Sequence, residues 1–104
     1  MTIARQSVVH PRPEAKAEAE QIFDELLASF RTMPGYLMGF RYRSHEDPAV
    51  VGRITLWRRL EDADHAAQQS HIISLRSRLN RIIQGEHLEW ALTVEGTPYS
   101  LPGS

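Results

Sequence analysis

The chain has no cysteine among its 104 residues. That excludes disulfides, a thiolate nucleophile, thiolate metal sites and iron–sulfur clusters. It also lacks an excess of charge of one sign: 12 basic side chains face 13 acidic ones, for a formal net charge of -1. No overall field therefore draws it to nucleic acid or to an anionic membrane, and the pairs Arg41 with Arg43 and Arg58 with Arg59 fall short of a basic patch. There is no phosphate-cradling glycine loop, no dinucleotide fingerprint and no serine-centred hydrolase elbow. The five histidines, His10, His45, His65, His71 and His87, lack the spacing that puts two ligands on one helix face, and the acidic residues are scattered, so no metal site is expected. The first nine residues lack the apolar core of about 7–15 residues that a signal peptide needs, which makes a cytoplasmic location the default expectation.

What is present is an ordinary globular balance, 41% hydrophobic and 24% charged, organised around residues 50–59. With the two-residue period of a strand, Val50, Gly52, Ile54 and Leu56 point one way and Val51, Arg53, Thr55 and Trp57 the other. Both faces carry apolar material, as in a strand inside a sheet covered on both sides.

Before it, residues 2–10 alternate as a first strand, with Ile3, Arg5, Ser7 and Val9 on one face, and stop at Pro11 and Pro13. Residues 14–31 read as a helix in which Ala15, Ala19, Ile22, Phe23, Leu26, Leu27 and Phe30 form one apolar stripe. Pro34-Gly35 ends it. A second strand covers residues 36–44, with Tyr36, Met38, Phe40 and Tyr42 on one face. A polar turn at residues 45–48 makes strands two and three an antiparallel hairpin. After the organising strand comes a short helix over residues 61–67. A second helical piece, capped by Ser70, runs from His71 to about Gln84, with Ile72, Leu75, Leu79, Ile82 and Ile83 as its stripe. The last strand is residues 87–95, alternating Leu88, Trp90, Leu92 and Val94 against His87, Glu89, Ala91 and Thr93. Residues 1–96 are thus expected to be a single domain, and residues 97–104 a C-terminal tail without a period.

This order is an α+β, ferredoxin-like βαββαβ pattern: a four-stranded antiparallel sheet with helices on one face. The other face is too apolar to stay wet, and a second copy packed sheet to sheet would cover it, so a homodimer is expected.

Met33-Pro34-Gly35-Tyr36, the hairpin ending Ile54-Thr55-Leu56-Trp57, the alanine-rich helix after it and Ser70-His71 together resemble the antibiotic-biosynthesis-monooxygenase-like family of dimeric α/β-barrel proteins. The likeness runs from about Ile3 to Val94. It implies a dimeric α/β barrel with a small-molecule cavity between each sheet and its helices, and members that include cofactor-free oxygenases of quinol-like aromatic compounds. By the same resemblance Trp57 matches a tryptophan thought to contact substrate. Arg53 stands where the quinol-oxidising members carry an asparagine, and Ala66 and Arg76 stand where haem-degrading members carry a tryptophan and a histidine. Haem degradation is therefore not expected.

Three residues are the catalytic candidates. Trp57 is either the wall of an aromatic pocket or core packing with a satisfied N–H. Arg53, a cation on an apolar strand face, either binds an anionic or enolate-like group or pairs with a carboxylate such as Glu89 or Glu95, across a dimer. His71, at a helix start, is either a neutral base or a partly exposed bystander. Tyr36 and Tyr42 either donate to a ligand or seal an interface. Two functions fit: a cofactor-independent monooxygenase acting on a small aromatic quinol, without cofactor or metal, or a non-catalytic dimer that binds a small hydrophobic molecule or regulates a partner.

Overall fold

The computed structural model describes residues 1–96; the expected tail, residues 97–104, lies outside them. Strands β1 (Ile3–Val9), β2 (Tyr36–Arg43), β3 (Val51–Trp57) and β4 (Leu88–Thr93) form one antiparallel sheet in the order β2-β3-β1-β4. Helices α1 (Lys16–Phe30), α2 (Leu60–Ala67) and α3 (Ser70–Asn80) cover one face. The chain is an α+β protein with ferredoxin-like topology, as its strand and helix order implies.

Register decides which side chains meet the helices. Ile3, Arg5, Ser7 and Val9 of β1 lie opposite Trp57, Thr55, Arg53 and Val51 of β3. On the other flank Arg5 and Ser7 face Ala91 and Glu89 of β4. Because successive side chains alternate, these residues share one face. Val9, Val51 and Trp57 there join Ile22, Phe23, Leu26 and Phe30 of α1 and Ile72 and Leu79 of α3 in one core. In α2, Ala63 and Ala66 are buried and small, which lets the helix axis come close to β1 and β3.

The opposite face carries Met38, Phe40, Leu88, Trp90 and Leu92, between 37% and 46% exposed in the single chain. Tyr42 lies over Gly52 there, where any Cβ would collide with its ring, and its hydroxyl accepts a 2.7 Å hydrogen bond from Gln6 Nε2.

Four boundaries or faces depart from the sequence expectation. Tyr36 does not share a face with Met38: β2 slips register between them, so that Tyr36 pairs with Trp57 while Met38 pairs with Leu56. The irregularity turns the Tyr36 ring to the helix side, into space kept free by Gly39, whose Cβ would lie 2.9 Å from the Tyr36 hydroxyl. The start of the first helix, residues 13–15, is a 3-10 turn with Pro13 in its first positions. Ser70 is the first residue of α3 rather than its cap; Gln69 occupies the cap position without a side-chain bond. Finally, α3 ends at Asn80 because the next groups are claimed elsewhere. Arg12 N–H donates to Ile82 O (2.9 Å), Gln84 N–H to His10 O (2.6 Å), and Pro11 bridges Ile83. Ile82 is still buried, but in that junction rather than on a helix.

Candidate active site

Between sheet and helices lies a cavity of about 20 Å³, lined by Arg5, Phe30, Arg53, Thr55, Trp57, Ala63, Ala67, Arg76 and Glu89. That is the room needed by about one water molecule. Five elements and the start of β4 contribute to it, so its chemistry comes from residues far apart in sequence.

Trp57, only 1% exposed, forms one wall. Its Nε1–H donates to Thr55 Oγ1 at 2.9 Å. Phe30 and Tyr36 meet it edge to face at centroid distances of 5.6 Å each, the arrangement that ring quadrupoles favour. The alternatives of core packing and pocket wall are thus not exclusive: the ring is core on its edges and wall on its cavity side.

Arg53 is 4% exposed. Its guanidinium carbon lies 5.2 Å from the Phe30 ring centre and 5.6 Å from that of Phe23. Among the described residues its Nε is the single buried side-chain nitrogen or oxygen without a hydrogen-bond partner. Burial pushes the Arg53 guanidinium down to about 10, with Glu89 opposing the shift and Arg76 and Arg5 adding to it. It therefore remains a cation at neutral pH. Glu89, one of the two carboxylates weighed as its partner across a dimer, lines the same cavity and within the chain is paired with Arg76. Arg5 is matched by Asp64 of α2 at 3.0 Å.

Behind Glu89 runs a polar chain. Glu89 Oε1 is 3.7 Å from His87 Nε2, the same nitrogen contacts Ser7 Oγ, and His87 Nδ1 lies 3.2 Å from Asn80 Oδ1. Asn80 Oδ1 can only accept, which puts the ring proton on Nδ1 and leaves Nε2 to accept from the Ser7 hydroxyl. Burial lowers the His87 pKa from its ordinary value, with Glu89 opposing the shift and Arg76 and Arg53 assisting it, which favours the neutral ring.

The structure thus brings two of the three sequence candidates, Arg53 and Trp57, to one cavity. His71 is elsewhere: exposed at the second residue of α3, it lines an open groove between α1 and α3 with Glu25, Ala28, Ser29, Ser74, Leu75 and Arg78. Arg41 and Arg43 are structural, tying β2 to Glu20 and Asp24 of α1. Sequence reasoning missed Thr55, Ser7 and His87 as neighbours of the site. The available signal was polar side chains at alternate positions of strands, on the face that otherwise packs under helices. No group of three or more His, Asp or Glu side chains is arranged to hold a metal among the described residues.

A ferredoxin-like sheet with a small cavity between it and its helices is the class defined by this geometry. The model of the antibiotic biosynthesis monooxygenase family matches residues 2–75, and the chain belongs to that family. No curated protein matches it by sequence. Among solved structures it is similar to Rv0793 from Mycobacterium tuberculosis (15% identity, TM-score 0.87, covering 95% of this chain and 100% of that one). It is also similar to a conserved protein from Methanosarcina mazei Go1 (15% identity, TM-score 0.85, 91% and 94% covered). A third is SnoaB, a cofactor-independent oxygenase from Streptomyces nogalater (21% identity, TM-score 0.73, 92% and 93% covered). At these identities the likeness is one of fold. No helix among the described residues is long and apolar enough to cross a membrane.

Proposed function

We propose that this chain is a cofactor-independent monooxygenase acting on a small aromatic, quinol-like compound in the Arg53–Trp57 cavity. The observation that carries this reading is the Arg53 guanidinium, without an ion-pair partner, beside the apolar part of the wall that Trp57, Phe30, Ala63 and Ala67 make. A quinol activates dioxygen through its own anion, so the protein has to bind it, take its proton, stabilise the oxyanion and exclude water. Arg53 supplies the positive charge, Trp57 the flat wall, and family membership and the fold shared with SnoaB support the reaction class. The proton acceptor inside the cavity is Glu89, since His71 lies outside it. The same reading includes a homodimer closed through the sheet face bearing Met38, Phe40, Trp90 and Leu92.

Oxygen uptake with a panel of quinols tests the activity, comparing wild type with Arg53→Ala. Uptake above background that falls in the variant supports it; a wild type no faster than background for every quinol removes it. A second reading, a non-catalytic dimer that binds a small molecule or regulates a partner, is favoured by the narrowness of the cavity, about 20 Å³.

A further inference from the structure

The cavity wall carries three cations, Arg5, Arg53 and Arg76, and one anion, Glu89. Two of the cations are matched, Arg5 by Asp64 and Arg76 by Glu89. Arg53 is not, although it is the most deeply buried of the three. An unpaired buried charge is costly, and the rings of Phe23 and Phe30 offset only part of that cost. The charge count therefore leaves the cavity one negative charge short.

We propose that the cavity recognises a small organic monoanion: a carboxylate on a flat apolar body, with its oxygens against the Nε edge of Arg53. The carboxylate follows from charge and shape. A guanidinium edge offers parallel N–H donors that match two carboxylate oxygens. A carboxylic acid is ionised at neutral pH, whereas an ordinary phenol is not, so only the former meets a permanently charged Arg53 in the resting state. Thr55 adds a second donor: its Oγ1 accepts from Trp57, which leaves its own hydroxyl proton for an acceptor in the cavity. The apolar body follows from the rest of the wall, Phe30, Trp57, Ala63 and Ala67. About 20 Å³ receives only the head group. The body needs movement of Arg5 or Arg76, whose side chains are 24% and 28% exposed and so lie at the rim. This deepens the reading of the cavity as a small-molecule site but does not require turnover.

The indole N–H of Trp57 reports the test by NMR, the other indole signal being assigned through Trp90→Phe. Wild-type protein is titrated separately with benzoate, benzamide, phenol and sodium chloride. Benzoate should shift the Trp57 signal saturably, with benzamide and phenol weaker by about tenfold or more, the factor lost when an ion pair becomes a cation–neutral hydrogen bond. Arg53→Met should abolish the preference for benzoate over benzamide, and Thr55→Val should weaken benzoate binding while keeping the preference. Equal binding of benzoate and benzamide, or of benzoate and phenol, overturns the proposal. So does a Trp57 shift produced by chloride as readily as by benzoate, or the absence of any saturable shift. If Arg53→Met does not fold, the wild-type comparison alone decides. Benzoate preference without oxygen uptake from any quinol leaves this site standing and removes the monooxygenase. Quinol turnover with no preference for benzoate does the reverse.

Discussion

Arg76 holds Glu89, and in doing so takes from Arg53 the one carboxylate on the cavity wall. Three charges share a small space, and the pairing leaves the most buried of them alone.

Replacing Arg53 by methionine should stabilise the protein. The guanidinium is held well below its ordinary value, down to about 10, chiefly by burial, which disfavours the charged form by about 3 kcal/mol. The penalty is fully present below about pH 10, because the cation is then buried in the fold and hydrated in the unfolded chain; it lifts only as pH rises through about 10 towards the ordinary guanidinium value. Methionine fills similar volume without charge, so a gain of about 1–3 kcal/mol in urea denaturation at pH 7 is expected. A loss of stability would mean that Arg53 is satisfied in solution by a partner the fold itself provides.

Thr55→Val should destabilise by about 1–3 kcal/mol, because it leaves the buried indole N–H of Trp57 without an acceptor. The isosteric change keeps packing constant. An unchanged midpoint would show that the indole finds another acceptor.

His87 should make the fold sensitive to mild acid. Its pKa is lowered in the folded state, first by burial. The unfolded chain therefore binds the proton more readily, and stability is lost as pH falls below 6.5 towards the folded value. Denaturation midpoints between pH 7 and 5 should fall less steeply in His87→Gln than in wild type. Parallel slopes would place the acid sensitivity elsewhere.

The uncovered sheet face carries the dimer expectation. Phe40 on β2 and Leu92 on β4 are 43% and 44% exposed in the single chain, so charges there cost the isolated fold little. Wild type should sediment as a dimer, and Phe40→Glu with Leu92→Glu as a folded monomer. A wild type that sediments as a monomer at micromolar concentration sinks the expectation.

Much of the architecture was legible because single periods carried it. The alternation in β3 placed Val51, Arg53, Thr55 and Trp57 together, and the α1 stripe named Ile22, Phe23, Leu26 and Phe30 as core. A cation in an apolar alternation pointed to Arg53. What failed to show was anything set by another segment. The slip in β2 reverses Tyr36 relative to Met38 without a sequence mark other than Gly39. Ile82 and Ile83 continue a helical stripe beyond Asn80, yet the β1–α1 loop captures their backbone. Alternation puts Glu89 on a strand within reach of a cation, but nothing in the chain says that Arg76, thirteen residues upstream, is the one that holds it. His71 looked chemically apt at a helix start, but α3 points that end towards α1.

The tie between Arg5 and Asp64 joins β1 to α2 with its acid half exposed, whereas Arg53 is sealed away. Dissolved ions shield the first and hardly reach the second. Brine should thus loosen the doorway while the grip inside persists, so that exchange of an occupant quickens with ionic strength more than its hold declines.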